Sequence, residues 1–487
     1  MEIRSYINGK WVTPAAGRTV RNMNPADTGE TVAEFVSAGE KEALEAIEAA
    51  REAFGSWRAV PAPQRGRYVA RVTELARSHG DEIAATMTRE EGKLLREARG
   101  EVNKGINLLE YYAGAGFRMN GSTIPSEIAD CFTCTIRRPL GIAGIITPWN
   151  FPWAIPCWKI APALVAGNTV VFKPAELTPG TATLLVRFFE EAGLPPGVLN
   201  MVAGPGSTVG EAILRHPAIR AVSFTGSNEV GQRVIEECAK TCKKVTCEMG
   251  GKNALIVMED ADIDAAVAAT ADGAFGSTGQ RCTATSRALV HAGVKDEFLE
   301  KLLAAANRYA PGNGFDPAAG MGPCVDRKQF ETVCAFIEAG KRELALLVLG
   351  GGTPDPKGYF VEPTIFDGVK PEMRIFQEEI FGPVLAVTAF GSFDEAVRLA
   401  NDSRYGFTGS LFTRDIWAIM RFIEGAEIRM VHVNEPTIGG EAQLPFGWCK
   451  ATGYGDREMA EEGLNFFTQT KTVFINYSGS GSRAMIR

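Results

Sequence analysis

Glu248 and Cys282, both in the segment from Cys247 to Arg287, have complementary chemistry. Cys282 follows Gly279-Gln280-Arg281, and Glu248 precedes Met249-Gly250-Gly251. A thiolate attacks carbonyl carbons, and a carboxylate activates the water that releases the resulting acyl group. Taken alone the pair is a weak signal, because a buried cysteine is more often an inert small apolar side chain.

The size and charge of the chain exclude some partners. It has 487 residues, too many for a single hydrophobic core, so two or three domains are expected. Its 51 basic and 58 acidic residues give a net charge of −7, and no long basic run is present. A nucleic acid or an anionic membrane is therefore not an expected partner.

One uncharged segment, Leu140 to Trp158, is about long enough to span a bilayer. It contains Pro148, Pro152 and Pro156, which remove helix hydrogen bonds along its length, so we expect a buried strand followed by an irregular loop. Polar and charged groups are distributed throughout the first twenty residues, which excludes a signal peptide. We therefore predict a soluble, cytoplasmic protein.

The ten cysteines do not predict a disulfide framework or a metal site. Cys131 and Cys134 form a CxxC, but the alternating residues around them are typical of a strand, whose positions i and i+3 face opposite ways. The histidines are scattered singly: His79, His216, His291 and His432.

The secondary-structure pattern changes near Gly141. Before it, Asn8-Gly9 predicts a hairpin turn, helical spacing covers 41–54 and 65–99 and continues to about 114, and 122–138 alternates like a strand. After it, short apolar strands alternate with helices, which predicts an open parallel sheet with helices on both faces. Such sheets bind nucleotides at the carboxyl ends of their strands.

Two glycine-containing turns are candidates for binding phosphate. Gly204, Gly206 and Gly210 have a GxGxxxG spacing, one residue off the usual dinucleotide fingerprint, and a structural turn is the alternative. The other candidate is the helix start after Thr225-Gly226-Ser227, where free backbone N–H groups attract anions.

Seven motifs appear along the chain in an order that resembles the NAD(P)-dependent aldehyde dehydrogenase superfamily, and the resemblance covers essentially the whole length. They are Pro148-Trp149-Asn150-Phe151-Pro152, Lys173-Pro174-Ala175-Glu176, Phe224-Thr225-Gly226-Ser227, Glu248-Met249-Gly250-Gly251-Lys252, Gly279-Gln280-Arg281-Cys282, Glu379-Ile380-Phe381-Gly382-Pro383 and Pro445-Phe446-Gly447.

The resemblance implies roles for the catalytic residues. Cys282 would be the nucleophile that forms a thiohemiacetal and then a thioester, and Glu248 the base for the deacylating water. Asn150 would share the oxyanion hole with the backbone N–H of Cys282. Lys173 would sit near the cofactor ribose. Glu458 matches an acidic position that some members use as a proton relay, and a charge on a surface helix is the alternative.

The implied cofactor is NAD in preference to NADP, though not exclusively, because Glu176 would repel a 2′-phosphate. The implied cofactor residues are Ile146, Thr147, Pro148, Trp149, Lys173, Ala175, Glu176, Gly206, Gly210, Phe224, Thr225, Gly226, Ser227, Val230, Met249, Gly250, Glu379 and Phe381.

The implied substrate residues surround Cys282. Phe151, Trp158 and Phe446 would form an apolar sleeve, and Thr283 follows the nucleophile. Arg281 would either bind a substrate carboxylate or point away and pair with an acidic side chain.

The runs 279–287 and 440–446 look most like the α-ketoglutaric semialdehyde (2,5-dioxopentanoate) dehydrogenase branch, with succinic semialdehyde and aromatic aldehyde dehydrogenases as alternatives. A non-catalytic structural member and a phosphorylating or acyl-CoA-forming relative are further alternatives, and the retained catalytic residues argue against the first. One departure from the family pattern is Trp448, where a second glycine usually follows Pro-Phe-Gly.

The implied fold is an α/β aldehyde dehydrogenase fold. We expect a Rossmann-like cofactor domain over 1–120 and 139–250, a catalytic α/β domain over 251–455, and a small β oligomerisation element from 121–138 and 456–487. An edge strand near 470–477 needs protection, which favours a homodimer or homotetramer.

Overall fold

The computed structural model describes residues 2–479 as 22 strands and 15 α-helices, numbered here in chain order. Met1 and residues 480–487, the last part of the predicted oligomerisation element, lie outside the described residues.

The strands are β1 Ser5–Ile7, β2 Lys10–Val12, β3 Thr19–Asn24, β4 Asp27–Val36, β5 Thr123–Ile124, β6 Cys131–Pro139, β7 Ile142–Ile146, β8 Thr169–Lys173, β9 Leu199–Met201, β10 Ile219–Thr225, β11 Lys244–Glu248, β12 Asn253–Val257, β13 Thr285–His291, β14 Leu346–Leu349, β15 Thr364–Asp367, β16 Val384–Phe390, β17 Tyr405–Gly406, β18 Thr408–Phe412, β19 Met430–Val433, β20 Cys449–Lys450, β21 Gly453–Tyr454 and β22 Thr468–Asn476.

The helices are α1 Glu40–Ala59, α2 Ala62–Ser78, α3 Gly80–Glu91, α4 Leu95–Ala113, α5 Ala154–Ala166, α6 Pro179–Glu191, α7 Glu211–Arg215, α8 Asn228–Lys240, α9 Ile263–Phe275, α10 Lys295–Ala306, α11 Arg327–Arg342, α12 Arg374–Gln377, α13 Phe393–Asn401, α14 Ile416–Gly425 and α15 Ala460–Phe466.

The first large sheet has the strand order β2-β1-β9-β8-β7-β10-β11-β21. Its five central strands, from β9 to β11, run parallel, as the alternation after Gly141 predicts. The outer strands β1 and β21 pair antiparallel with this core. The predicted Asn8-Gly9 turn joins β1 to β2, with positive φ at both residues.

The second large sheet has the order β14-β15-β16-β13-β12-β18-β19 and is parallel except for β14. The chain crosses from the first sheet to the second between β11 and β12, and only residues 249–252 separate the two strands. Residues at the end of β11 are therefore held by one sheet while those that follow belong to the other.

A three-stranded sheet, β22-β6-β5, combines the two segments that the sequence predicts for oligomerisation. β22 pairs antiparallel with β6 over the full length of both strands, from Thr468 opposite Pro139 to Asn476 opposite Cys131. Large apolar side chains on these strands are exposed: Phe132, Phe474 and Ile475.

The segment 65–114, which the spacing predicts as helical, forms three separate helices. α2 and α3 meet at His79, and α3 stops at Gly92, whose φ is 87°. A left-handed residue of this kind is common just beyond a helix end. The break at 92–94 redirects the chain, so that α4 packs against α5.

The predicted buried strand is β7, and an irregular loop follows it over residues 147–153. The predicted end of that loop at Trp158 is wrong, because α5 already begins at Ala154. Pro156 lies in its first turn, where a backbone N–H has no partner within the helix, so the proline removes no hydrogen bond there. α5 is buried along its whole length. Within residues 2–479, no helix is both long and apolar enough to cross a membrane.

Candidate active site

The carboxyl ends of four parallel strands bring predicted site residues to one edge of the first sheet. Ile146 ends β7 opposite Lys173 at the end of β8, and Thr225 ends β10 opposite Glu248 at the end of β11. Phe224 of β10 pairs with Ile146 of β7, so the β7–β8 pair and the β10–β11 pair are neighbours in the sheet. The register therefore places Ile146 and Glu248, which are 102 positions apart (248 − 146), at the same edge with only β10 between their strands.

The predicted nucleophile lies just before β13 of the second sheet, after a left-handed turn. Ser277, Thr278 and Gly279 have φ values of 49°, 59° and 64°. A Cβ atom at Gly279 would overlap the carbonyl of Gly382, so glycine is required there. The Cys282 carbonyl accepts a hydrogen bond of 2.8 Å from Asn253 Nδ2, which fixes the chain after the turn.

A cavity of about 430 Å³ brings Cys282, Glu248 and Asn150 together. Its volume is within the usual range for small-molecule sites. The predicted cofactor residues that line it are Pro148, Trp149, Thr225, Gly226, Ser227, Met249, Gly250, Glu379 and Phe381.

The other predicted cofactor residues lie beside this cavity along the same sheet edge. Gly206–Gly210 forms a short π-helical turn, and a Cβ atom at Gly210 would lie 3.9 Å from Lys173 Cδ. Ala175 follows β8, Thr147 follows β7, and Val230 is exposed in the first turn of α8.

Lys173 and Glu176 already have partners within the chain. Lys173 Nζ donates hydrogen bonds to the carbonyls of Pro174 and Gly204, and burial lowers the pKa of Lys173 to about 8. Glu176 Oε1 accepts a 3.1 Å hydrogen bond from Ser37 Oγ and lies 3.7 Å from Arg18 Nη2.

Several cavity residues were missed from the sequence: Asp326, Lys328, Gln329, Thr332 and Ile380. Gln329 Nε2 donates to the carbonyls of Ile380 and Phe381, at 3.0 and 2.9 Å. Phe381, whose φ is 56°, is thereby held edge-on to Trp149 with ring centroids 5.5 Å apart. The only available signal was Asp326 as an N-cap residue, which marks the start of α11 but no function.

The thiol and the carboxyl group are both shielded from water. Burial is the main cause that raises the pKa of Cys282 well above its ordinary value, and the charge of Glu248 adds to it. Burial, followed by the charge of Glu458, raises the pKa of Glu248 to about 8. No N–H or hydroxyl of the described chain donates to either oxygen of Glu248, and the Cys282 thiol is the neighbour that can donate to this carboxyl group. Such an unpaired buried carboxyl is costly for folding and is typical of groups that act as acids or bases.

Donors suited to a developing oxyanion lie beside Cys282. Asn150 Nδ2 donates one hydrogen bond, of 3.1 Å, to the Gln280 carbonyl, which leaves its second hydrogen without a partner in residues 2–479. The backbone N–H of Cys282 also has no acceptor in that part of the chain. Preorganised N–H donors of this kind stabilise negative charge on a reacting oxygen.

A buried ionic cluster, which the sequence did not signal, supports Asn150. Lys93 Nζ donates to the Asn150 carbonyl at 2.9 Å and forms ion pairs with Glu91 and Glu101. Burial alone would lower the pKa of Lys93, but the two carboxylates outweigh it and raise that pKa. Glu101 also accepts the backbone N–H of Trp153, just before α5, at 2.9 Å.

Glu458 is buried, so it is not a charge on a surface helix. Its carboxylate accepts hydrogen bonds from Trp158 Nε1 at 2.7 Å, from Ser223 Oγ at 3.1 Å, and from Lys159 Nζ. Within this network the charge of Glu458 raises the pKa of Glu248 and the charge of Lys159 lowers it. Its role as a proton relay stays a prediction.

The residues of the predicted apolar sleeve, Phe151, Trp158 and Phe446, are not among those that line the cavity. Trp158 and Phe446 have ring centroids 5.5 Å apart, and Phe151 packs with Cys282 against the same apolar core. Thr283 is buried, and its carbonyl accepts a 2.8 Å hydrogen bond from Thr437 Oγ1.

Arg281 points toward the turn before Cys282. Its Nε donates to Ser277 Oγ at 3.1 Å, and a Cβ atom at Gly276 would lie 3.1 Å from both terminal nitrogens. It forms no ion pair within residues 2–479. Trp448 is buried in the apolar core, and its ring lies against Gly453, where a Cβ atom would overlap it.

The lining of the cavity fits a nicotinamide dinucleotide. The buried hydroxyls of Thr147 and Thr225 have no hydrogen-bond partner in the described chain, and Gly226 and Gly250 allow a close approach. A Cβ atom at Gly250 would overlap Glu379, whose carboxylate accepts the Gly251 N–H at 2.9 Å. In residues 2–479, no group of three or more His, Cys, Asp or Glu is arranged to hold a metal ion.

The model of the aldehyde dehydrogenase family matches residues 11–473. An α-ketoglutaric semialdehyde dehydrogenase from Bacillus subtilis is 44% identical over 97% of this chain and 97% of its own length. A 2,5-dioxopentanoate dehydrogenase from Saccharolobus solfataricus is 43% identical over 97% of this chain and 99% of its own.

Solved structures give the same result for the fold. Betaine aldehyde dehydrogenase from Staphylococcus aureus, in complex with NAD⁺, has a TM-score of 0.95 and 35% identity, covering 98% of this chain and 95% of its own. An NADP-dependent enzyme from E. coli has a TM-score of 0.95 and 36% identity, covering 98% of each chain.

These similarities confirm the predicted fold class, the oxidation of an aldehyde to an acid, and the use of a nicotinamide dinucleotide. With the family model matched from residue 11 to residue 473 and the fold shared over nearly the whole length, the chain belongs to the aldehyde dehydrogenase family.

Proposed function

We propose that this enzyme oxidises a short semialdehyde acid, with 2,5-dioxopentanoate as the leading candidate, and uses NAD in preference to NADP. The observation that carries the substrate proposal is the similarity to relatives with this activity in their names, at 42–44% identity over 97% of this chain. Relatives named for malonate semialdehyde, another aldehyde acid, are 39–41% identical.

In the proposed mechanism Glu248 first activates Cys282. The thiol is neutral because burial and the nearby carboxylate raise its pKa, so it needs a base at the moment of attack. Glu248 accepts the proton, and its pKa of about 8 makes it a stronger base than an ordinary carboxylate. The thiolate then bonds to the aldehyde carbon, and the oxygen becomes an oxyanion.

Asn150 Nδ2 and the Cys282 N–H donate hydrogen bonds to that oxyanion. The cofactor would be held by the cavity residues around Phe381 and Glu379, and it supplies the chemistry of a hydride acceptor. As the oxyanion re-forms the C=O bond, the aldehyde C–H bond breaks, its hydrogen leaves with the electron pair, and a thioester on Cys282 remains. Once Glu248 has released the thiol proton to solvent, it removes a proton from water, which attacks the thioester carbon and breaks the C–S bond to give the acid and the free Cys282 thiolate.

The substrate proposal predicts that an aldehyde with a distal carboxylate is oxidised better than an uncharged one. Succinic semialdehyde should exceed butanal, which has the same number of carbons, by roughly 10- to 100-fold in kcat/KM, since a charge-assisted contact contributes about 1.5–3 kcal/mol. The measurement is steady-state absorbance of reduced nicotinamide, with 2,5-dioxopentanoate, malonate semialdehyde, benzaldehyde and betaine aldehyde in the same panel. An equal kcat/KM for succinic semialdehyde and butanal would exclude a semialdehyde acid as the preferred substrate.

The cofactor proposal predicts a higher kcat/KM with NAD than with NADP. Glu176 would face the adenosine ribose, and its carboxylate repels a 2′-phosphate, whereas Arg18 at 3.7 Å softens that repulsion. Replacing Glu176 with glutamine should narrow the NAD/NADP ratio by about fivefold, the equivalent of ~1 kcal/mol for charges near 4 Å in water. The matched control is Glu34→Gln, another glutamate paired with an arginine at the surface. A wild-type preference for NADP would contradict the proposal.

We further propose a cytoplasmic homodimer or homotetramer in which the three-stranded sheet forms the contact. Its edge strand β22 leaves Phe474 71% exposed, and apolar side chains at a free strand edge favour association. The domain division 1–120 with 139–250, 251–455, and 121–138 with 456–487 is part of the same proposal.

A further inference from the structure

Lys104 lies near the proposed substrate side of Cys282 although no motif contains it. It is half-buried in the middle of α4. Its Nζ atom lies 5.5 Å from the ring centroid of Trp158 and 5.7 Å from that of Phe446. The ammonium group therefore faces the two aromatic side chains proposed to enclose the reacting aldehyde.

The Lys104 ammonium has no hydrogen-bond or ion-pair partner in residues 2–479. Three other basic side chains are paired: Lys93 and Lys159 each pair with a buried glutamate, and Arg99, on the same helix, pairs with Asp81. Arg281 forms no ion pair within residues 2–479, but its Nε donates to Ser277 Oγ. Two aromatic faces stabilise a cation only partly. A shielded cation without a counter-ion favours an anionic ligand, because pairing offsets its lost hydration.

The charged groups around Lys104 place it close to the reaction. Those that affect its pKa are Cys282, Glu101, Arg281 and Glu248, while burial is the largest cause and lowers that pKa. Gly440 lies beside the same groups, since a Cβ atom there would be 3.5 Å from the Phe446 ring and 3.9 Å from Lys104 Nζ. The absence of a side chain at Gly440 therefore keeps the approach to the Lys104 ammonium less crowded than a larger residue would.

We infer that Lys104 binds the distal carboxylate of the substrate and is the residue that selects semialdehyde acids. The inference rests on the proposed function and adds the group that recognises the carboxylate. A lysine offers a compact charge at the end of a flexible chain, which suits a small carboxylate whose carbon chain lies between Trp158 and Phe446. Arg281 is less well placed, because its guanidinium is directed toward Ser277 and Gly276.

The test compares Lys104→Met with wild type on succinic semialdehyde and butanal. The variant should lose roughly 10- to 100-fold in kcat/KM for succinic semialdehyde, mainly through KM, since it removes one charge-assisted contact. Its kcat/KM for butanal should not fall, which also shows that the variant is folded. Lys104→Arg should recover part of the loss. Arg99→Met removes a basic side chain from the same helix and should match wild type with both substrates.

Each other outcome has a definite meaning. If wild type does not prefer succinic semialdehyde over butanal, both the proposed function and the Lys104 assignment fail. If wild type has the preference and Lys104→Met keeps it, only the Lys104 assignment fails. If the preference for succinic semialdehyde is lost in Arg281→Met but kept in Lys104→Met, Arg281 and not Lys104 binds the substrate carboxylate. If kcat/KM falls equally for both substrates in Lys104→Met, the substitution acts on the Cys282 thiol and the assignment is overturned. If the methionine variant does not fold, Lys104→Gln repeats the test.

Discussion

The Cys282→Ala variant is expected to lose dehydrogenase activity by on the order of 10³-fold or more, the scale typical of removing a nucleophile. Without the thiol no covalent bond to the aldehyde carbon forms, so the oxyanion donors at Asn150 and the Cys282 backbone have no reaction to stabilise. NAD binding should persist, because the residues proposed to hold the cofactor are unchanged. Turnover follows from reduced-nicotinamide absorbance, and binding from titration calorimetry.

A second cysteine variant makes this test specific. Cys334 is half-buried, as Cys282 is, but it lies in α11 and is not among the residues lining the cavity. Cys334→Ala should therefore keep wild-type turnover. Substantial activity in Cys282→Ala, or its loss in Cys334→Ala, would be incompatible with Cys282 as the nucleophile.

Glu248→Gln is expected to lower steady-state turnover by about 10²- to 10⁴-fold, the usual contribution of a general base. Deacylation should suffer most, because glutamine cannot take a proton from water. Rapid mixing with NAD and aldehyde should then show a burst of reduced nicotinamide followed by a slow phase, as the thioester accumulates. Glu259→Gln, which changes an exposed glutamate, serves as the control. If Glu248→Gln turns over at the wild-type rate, the base is another group.

The pH profile supplies an independent check on Glu248. Burial and Glu458 raise its pKa to about 8, so at lower pH the carboxyl group is mostly protonated and cannot act as a base. Wild-type turnover should therefore rise with pH and level off above about pH 8. In Glu248→Gln that rising limb should be lost, since glutamine does not titrate.

Much of the fold was predictable because it follows local patterns. The strand–helix alternation after Gly141 predicts the parallel core of the first sheet, and Asn8-Gly9 predicts the turn of the first hairpin. The start of α5 was not predictable from its prolines, since Pro156 is harmless only in the first turn of a helix. The pairing of β22 with β6 joins segments more than 300 residues apart, a contact that no local pattern encodes.

The residues of the candidate site also separate into those that a local sequence pattern predicts and those that it does not. Cys282, Glu248 and Asn150 belong to motifs, and the structure brings these three predicted residues to one cavity. Lys104 and Gln329 lie in helices whose sequence is an ordinary amphipathic pattern, and Lys93 lies in the break between α3 and α4, so none of the three stands out in the sequence. Arg281 drew attention because it precedes the nucleophile, but adjacency along the chain did not determine where its guanidinium points.

The short crossing between the two sheets has a consequence for how relatives lose activity. Glu248 ends a strand of the first sheet, whereas Cys282 is anchored to the second sheet. Residues 249–252 connect the two sheets. A Cβ atom at Gly251 would lie 2.6 Å from the Cys282 carbonyl oxygen. A single larger residue in this crossing would therefore separate base from nucleophile while leaving both in the sequence. Such a substitution would remove activity while every catalytic residue stays in the sequence, so an inventory of those residues would not reveal the loss.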